Sequence, residues 1–280
     1  ALLIVASILV FAGLVILGDK NPSPSSTEDG APNSTVAESD TVELAPGIEI
    51  VSGVNVIKSI VQVVAQDSGE DCAYGSGSII IDSSYVLTNF HVVEDDEDCD
   101  IDKIFIETIE RIDLAPVRTH SAEIFAINED ADLVILKIKP LSSNGVDLIP
   151  VKIAPEVRLG DDLTAIGFPA IGGESVTVTK GEISGFSNYG GVRWIKSSIS
   201  ISGGNSGGGA FNLNGELVGV PTLMGVPGID ETTDCRPDRD TNGDGEIDSD
   251  DECVSMGGFI NSLSPGSGAI ELAKSKGLNP

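Results

Sequence analysis

Residues 75–93 read GSGSIIIDSSYVLTNFHVV, in which two short apolar runs, 77–81 and 85–88, flank the turn-forming residues Asp-Ser-Ser. β-Branched and aromatic side chains favour extended strands, whereas Asp and Ser favour turns. Runs of this kind recur along the chain, without helical patterns between them, at residues 56–65, 101–108, 133–138, 175–183, 192–195 and 217–220. This spacing predicts an all-β fold, either a sandwich or barrels. Only residues 268–276 are predicted to form a helix, which is short.

The composition is that of a globular, strongly acidic protein. The 280 residues include 44 Asp and Glu against 16 Lys and Arg, which gives a formal net charge of −28. Hydrophobic residues make up 40% and charged residues 21%, a balance that allows a sizeable core. Nucleic acids and anionic lipid surfaces are bound through clusters of Lys and Arg. The charge therefore argues against both as partners.

The first 48 residues differ from the rest of the chain. Residues 1–18 (ALLIVASILVFAGLVILG) are uncharged and contain a single polar side chain, Ser7. As a helix, at about 1.5 Å per residue, they would nearly cross a hydrocarbon core of about 30 Å. We expect an uncleaved membrane anchor, with a cleaved secretory signal as the alternative. Residues 19–48 are rich in Pro, Ser, Thr, Asp and Glu and are predicted to be a disordered tether. Either N-terminal alternative directs residues 49–280, predicted to be the folded domain, out of the cytoplasm.

Three short segments carry candidate catalytic side chains. Ser206 lies in the glycine-rich sequence SGGNSGGG at 202–209, His91 follows the apolar run at 85–88, and Asp132 precedes the apolar run at 133–138. Taken singly, they fit a flexible turn, a structural histidine and a turn residue. A serine becomes a nucleophile when a histidine takes its proton and a carboxylate orients that histidine. The chain order His, Asp, Ser is one of the three known orders of this machinery.

Four segments in order carry a resemblance to a known family. They are GSGSIII with VLTNFH (75–81 and 86–91), ADLVILKI (131–138), LGDDLTAIGFP (159–169), and GNSGG with NLNGELVG (204–208 and 212–219). With them the sequence resembles the chymotrypsin-fold, trypsin-like serine proteases, and is most similar to the HtrA/DegP-like branch. The resemblance extends over residues 56–264.

The resemblance implies a fold and a reaction. The fold would be two packed antiparallel β-barrels, barrel one at about 54–150 and barrel two at about 151–268. The reaction would be hydrolysis of protein or peptide substrates through an acyl-enzyme. Ser206 would be the nucleophile, His91 the general base and Asp132 its orienting group, while the N–H groups of Gly204 and Ser206 would hold the oxyanion. Ser200, six residues before the nucleophile, would lie at the base of the primary specificity pocket and favour uncharged, small-to-medium apolar residues.

The sequence also departs from the family pattern. Gly209 stands where relatives usually carry proline, and Ser197-Ser-Ile replaces a segment that is commonly acidic. These changes bear on the rigidity of the oxyanion loop. We expect no PDZ domain after the second barrel, and these patterns specify no oligomeric state.

Two alternative functions remain. One is a noncatalytic, calcium-stabilised binding module that keeps the protease fold, against which the complete set of three catalytic side chains weighs. The other is a glutamyl endopeptidase, a class that uses a histidine in the specificity pocket of the second barrel. Because both histidines, His91 and His120, precede Asp132, this alternative is weak.

The four cysteines, Cys72, Cys99, Cys235 and Cys253, allow three disulfide pairings. The resemblance favours Cys72–Cys99, which brackets His91 as the histidine-loop disulfide of chymotrypsin-type enzymes does. Cys235–Cys253 would then close an acidic insertion at about 230–254. The close CxxC pairs typical of zinc sites are absent.

The acidic insertion contains a candidate calcium loop, DTNGDGEIDSDD at residues 240–251. Oxygen-bearing side chains fall at positions one, three, five, nine and twelve, with glycine at six and isoleucine at eight, an EF-hand-type arrangement. The loop also resembles those of dockerins and thrombospondin type-3 repeats. The expected ligands of this structural calcium are Asp240, Asn242, Asp244, Glu246 through its backbone carbonyl, Asp248 and Asp251. An acidic solvated loop is the alternative, and it is our interpretation of residues 94–102, which lack such spacing.

Overall fold

The computed structural model describes residues 56–97, 99–142, 147–169, 173–225, 235–236, 254–255 and 260–280. The predicted anchor and tether lie outside the described residues, as does the whole of 240–251. Within the described part, the chain forms no helix whose length and apolar character would let it cross a membrane.

Barrel one is a closed antiparallel sheet of six strands in the order β1-β2-β3-β6-β5-β4. The strands are β1 (Ile60–Asp67), β2 (Glu70–Ile80), β3 (Tyr85–Thr88), β4 (Lys103–Thr108), β5 (Val117–Asn128) and β6 (Leu133–Pro140). The apolar run at 56–65 divides: Val56–Ser59 form a 3₁₀ turn, and the strand begins at Ile60. Alternate apolar residues of β1, β2 and β6 point inward, so side chains such as Val61, Ile79 and Leu136 fill the barrel.

Barrel two is a second closed antiparallel sheet, in the order β10-β11-β14-β9-β8-β7. Its strands are β7 (Asp162–Gly167), β8 (Thr177–Tyr189), β9 (Val192–Ser197), β10 (Gly209–Phe211), β11 (Leu217–Met224) and β14 (Asn261–Pro265). A short pair, β12 (Cys235–Arg236) and β13 (Val254–Ser255), lies between β11 and β14 in the chain. Helix α1 (Gly266–Ser275) follows, two residues earlier than predicted.

A separate apolar cluster contains residues of both barrels and of α1. Leu133 and Ile135 of barrel one, Phe211 and Leu217 of barrel two and Ala269 of the helix belong to it, and all are buried. The two-barrel, all-β prediction is therefore confirmed, with the turns that carry His91, Asp132 and Ser206 at positions set by these strands.

Candidate active site

Asp132 lies at the end of the tight turn between β5 and β6. Its backbone N–H donates to the carbonyl of Glu129 at 3.0 Å, and the N–H of Ala131 donates to the Asn128 side chain at 3.2 Å. Asp132 has φ +49°, in the left-handed region. Asp reaches this region more readily than most residues, but at a cost that surrounding contacts must offset.

His91 lies in a one-turn 3₁₀ helix, Phe90–Val92, directly after β3. The Asp132 carboxylate holds it through both oxygens: Oδ2 lies 2.6 Å from His91 Nδ1, and Oδ1 accepts the backbone N–H of His91 at 2.9 Å. With Nδ1 occupied by the carboxylate, Nε2 is the nitrogen that a neutral imidazole leaves as an acceptor. His91 is 42% exposed and Asp132 20%, so the pair is open to a substrate.

Ser206 lies on a tight loop whose glycines are required by its conformation. Gly204 and Gly207 have φ of +92° and +85°. A Cβ at Gly207 would also collide with Thr88 Oγ1 and the carbonyl of Ser76. Within the described residues, the N–H groups of Gly204 and Ser206 make no hydrogen bond. They are therefore available as a pair of donors.

Ser76 of β2 connects the Ser206 loop to barrel one through hydrogen bonds. Its N–H donates to the carbonyl of Ser206 at 2.7 Å, and its hydroxyl donates to the carbonyl of Gly204 at 2.6 Å. The same hydroxyl accepts the N–H of Phe168 in barrel two at 2.9 Å. Ser76 is fully buried, so water does not compete for these bonds.

Gly75 brings the histidine and serine segments next to each other. A Cβ at Gly75 would lie 2.6 Å from the Val92 side chain and 3.0 Å from the Ser206 carbonyl. Val92 is the neighbour of His91 in sequence. The histidine segment and the serine segment, more than one hundred residues apart in sequence, therefore both pack against Gly75. The glycines at 202–209 were apparent from the sequence itself, whereas Gly75 was apparent only as part of the segment GSGSIII in the family resemblance.

The two departures from the family pattern have structural counterparts. The ring of Phe211 occupies the space in which a side chain at Gly209 would lie. The Ser197–Ile199 segment is held by Asn261, whose Nδ2 donates to the Ile199 carbonyl at 2.6 Å. Ser200 is exposed, and its carbonyl accepts the Thr179 hydroxyl at 3.0 Å. The Ser76 bonds hold the Ser206 loop in place, although Gly209 stands where relatives usually carry proline.

Cys72 and Cys99 form a disulfide with 5.7 Å between their Cα atoms, the pairing that the resemblance implies. It joins β2 to the acidic loop after His91. In the insertion, Cys235 pairs across the ladder with Ser255, whereas Cys253 lies outside the described residues. The described residues contain no group of three or more His, Cys, Asp or Glu placed to hold a metal ion. All six expected calcium ligands lie outside them.

Sequence reasoning missed a buried polar group behind the His91–Asp132 pair. Asn89 donates to the Asp132 carbonyl, and Ser264 donates to the Ala131 carbonyl. Thr222 contacts both of these side chains. A buried Asn two residues before the candidate histidine was the one visible signal.

A histidine held by a carboxylate from the β5–β6 turn of one barrel, with a glycine-flanked serine on a loop of the second barrel that is hydrogen-bonded to the first, is the arrangement of the two-barrel serine hydrolases. Among the described residues, no hydrogen bond joins the Ser206 side chain to His91. Residues 75–220, more than half of the chain, match the family model for the trypsin-like peptidase domain. The chain belongs to this family.

Several curated proteins resemble the chain over about half of its length. DegP of Escherichia coli, a periplasmic serine endoprotease, is 34% identical over 165 residues, which cover 55% of this chain and 31% of DegP. A probable DegP-like periplasmic endoprotease of Hahella chejuensis is 33% identical, covering 52% of this chain and 29% of the relative. The serine endoprotease DegS of Salmonella typhimurium is 32% identical, covering 61% of this chain and 45% of DegS. The chain thus matches less than half of the length of these relatives.

The fold also matches a solved structure, that of the serine endoprotease from Yersinia pestis. The TM-score is 0.54 at 25% identity, over 79% of this chain and 63% of the other.

Proposed function

We propose that this protein is an extracytoplasmic serine endopeptidase. The observation that carries the proposal is the 2.6 Å contact between His91 Nδ1 and Asp132 Oδ2, beside a serine loop fastened to the same barrel. The periplasmic serine endoproteases among its relatives support both the reaction and the location.

The reaction divides peptide hydrolysis into two acyl transfers. Ser206 Oγ attacks the substrate carbonyl carbon while His91 Nε2 takes its proton, and the Asp132 carboxylate stabilises the imidazolium that forms. The N–H groups of Gly204 and Ser206 donate to the oxyanion of the tetrahedral intermediate. His91 then protonates the departing amine, and the acyl-enzyme remains on Ser206. Water, deprotonated by His91, attacks the ester and releases the acid.

Labelling with a fluorophosphonate tests this proposal, because the probe reacts with activated serines and not with ordinary ones. We expect one label per folded chain, lost in Ser206→Ala and in His91→Ala. Ser202→Ala, in the same loop but outside the GNSGG segment, should retain it. Absence of a label on the folded wild-type protein would contradict the proposal and support the alternative of a noncatalytic binding module. A label that persists in Ser206→Ala would assign the nucleophile elsewhere.

The proposed specificity rests on Ser200. A hydroxyl at the base of the primary pocket offers no buried ion pair to Arg or Lys, so uncharged, small-to-medium residues should precede the cleaved bond. Digestion of a peptide library reports this directly. Preferential cleavage after Arg or Lys would contradict it.

Two further parts of the proposal concern residues outside the described ranges. Residues 1–18 would tether the enzyme to a membrane, or direct its export. Residues 240–251 would bind one structural calcium through the six oxygen ligands predicted from their spacing. The β12–β13 pair supports the proposed Cys235–Cys253 disulfide, since it puts Cys235 opposite Ser255, a near neighbour of Cys253 in sequence.

A further inference from the structure

The backbone around Asp132 is held from outside its own turn. The carbonyls on either side of the Asp132 Cα each accept a hydrogen bond from a distant side chain. Ser264 Oγ of β14 donates to the Ala131 carbonyl at 2.5 Å, and Asn89 Nδ2, just after β3, donates to the Asp132 carbonyl at 2.7 Å. These bonds fix both peptide planes that determine where the Asp132 side chain leaves the backbone.

Thr222 of β11 links the two donors. Its Oγ1 accepts from Asn89 Nδ2 at 3.0 Å and lies 2.9 Å from Ser264 Oγ. The Thr222 hydroxyl donates to the Val220 carbonyl at 2.8 Å and the Ser264 hydroxyl to the Ala131 carbonyl, and either hydroxyl can share its proton across the contact between the two oxygens. The backbone N–H of Ser264 also donates to Thr222 Oγ1, at 3.3 Å. Thr222 therefore joins β11 and β14 of barrel two to the Asp132 turn of barrel one.

The three side chains are closed to water, so water cannot replace a hydrogen bond that one of them loses. The Asp132 carbonyl also accepts the N–H of Phe90 at 3.3 Å, whereas the Ser264 bond is the one side-chain bond to the Ala131 carbonyl among the described residues. Asn89 and Ser264 are completely buried, and Thr222 is 6% exposed. The Asn89 amide has one possible orientation, because the Asp132 carbonyl can only accept. Its Oδ1 has no partner among the described residues, so the amide is held through its nitrogen alone. Such a group is sensitive to the loss of any one member.

We propose that Asn89, Thr222 and Ser264 are positioning residues through which barrel two holds the Asp132 carboxylate against His91. The inference rests on the proposed peptidase function and extends it. Asp132 is in the left-handed region, which the turn alone does not favour. If either carbonyl were released, the Cα–Cβ bond of Asp132 would rotate and the carboxylate would leave His91. Correct docking of barrel two thus becomes a condition for an aligned catalytic pair.

Removal of a single hydroxyl group tests the inference in the full chain. Thr222→Val and Ser264→Ala should each lower kcat about tenfold to a hundredfold, the effect of a misplaced catalytic group, with KM nearly unchanged. Thr222→Ser restores the hydroxyl and should restore kcat. Ser262→Ala is the matched control: Ser262 is equally buried in the same strand, but it donates to the Gly225 carbonyl at 2.7 Å, away from Asp132. It should leave kcat unchanged even if the protein is less stable.

NMR provides a readout that does not depend on catalysis. The chain has only two histidines, so ¹⁵N-histidine labelling gives one His91 signal and one His120 signal. The downfield Nδ1 proton of His91 should shift upfield or disappear in Thr222→Val and Ser264→Ala, while the His120 signal stays in place. An unchanged His91 proton and kcat in both variants would overturn the inference, as would equal losses in Ser262→Ala. If the wild-type protein cleaves no peptide, the proposed function fails, but the His91 proton still decides the positioning role.

Discussion

His120 is the second histidine of the chain and has no place in the proposed reaction. It lies in β5 and is 4% exposed, with Thr119 Oγ1 2.8 Å from its Nδ1. Burial lowers the pKa of His120, because the charged imidazolium would lose its hydration. Its side chain therefore stays neutral in the folded protein at pH values where an exposed histidine takes up a proton.

This difference predicts a loss of stability in mild acid. The unfolded chain binds the His120 proton below about pH 6.5 whereas the folded chain does not, so stability is full above that pH and falls below it, by up to about 1.4 kcal/mol per pH unit. His120→Asn keeps a partner for Thr119 and removes the titration. Urea unfolding at pH 7.5, 6.5 and 5.5 should show the advantage of the wild-type protein over this variant shrinking as the pH falls. Parallel pH dependences would contradict it.

At the residue scale, the roles of some side chains could be predicted from the sequence, whereas the roles of others could not. Ser206, His91 and Asp132 could be selected because the proposed reaction needs those three side chains and the chain offers few histidines. Thr222 and Ser264 could not, since small hydroxyl residues are common in strands. Their role depends on partners in the other barrel, and no local pattern records such contacts.

The serine loop shows how an element depends on one glycine. Gly207→Ala would add a Cβ against Thr88 and the Ser76 backbone at a positive φ, and we expect a loss of more than about 2 kcal/mol of stability together with the fluorophosphonate label. Gly203→Ala, in the same loop, meets no atom within 4 Å and should change stability by less than about 0.5 kcal/mol. Urea unfolding and labelling of both variants measure this contrast. Equal behaviour would show that the loop adjusts freely.

The Cys72–Cys99 disulfide closes the segment that contains His91. The two cysteines are separated by 27 positions in sequence, for which the chain-entropy model gives about 3–4 kcal/mol. Cys72→Ala/Cys99→Ala should lower the free energy of unfolding by that amount. Non-reducing peptide mapping of this variant then reports whether Cys235 and Cys253 pair. An unchanged unfolding free energy would mean that the loop is equally restricted without the crosslink.

Strand predictions succeeded where one face of the strand is apolar. β3 and β6 begin where the apolar runs predicted, because the last three residues of β3 and the first four of β6 are all buried. β5 was missed because only His120 and Ala126 among its residues are buried and polar side chains such as Arg118 and Glu123 interrupt any apolar alternation. β14 (NSLSP) was missed for the opposite reason: its polar side chains are buried and hydrogen-bonded to distant groups. Both strands are specified by barrel closure rather than by their own composition.

At the scale of the whole molecule, the net charge is −28, and a bound cation should therefore add to the stability of the folded protein. Calcium at about one hundred times its dissociation constant would add about 2.7 kcal/mol if only the folded protein binds it. We expect calcium to raise the melting temperature of Ser206→Ala, which cannot digest itself, relative to the same protein in chelator. Asp240→Ala/Asp244→Ala should lose this response.

The matched control for the Asp240→Ala/Asp244→Ala variant is Glu94→Ala/Glu97→Ala. These two residues belong to the acidic run at 94–102, which lacks the spacing of calcium ligands. Both side chains are exposed. This variant should keep the full calcium response, since removing two surface carboxylates leaves the 240–251 loop unchanged. An equal response in all three proteins would place the calcium elsewhere.

The central claim is that Ser206 becomes covalently acylated with help from His91 and Asp132. The most direct test is rapid mixing of the full chain with an activated ester, followed by mass spectrometry of the quenched protein. We predict a burst of one leaving group per chain, with the acyl group on the peptide that contains Ser206, and a burst rate about 10⁴ lower in Asp132→Asn. A burst that persists in Ser206→Ala, or an acyl group on any other residue, would contradict the account.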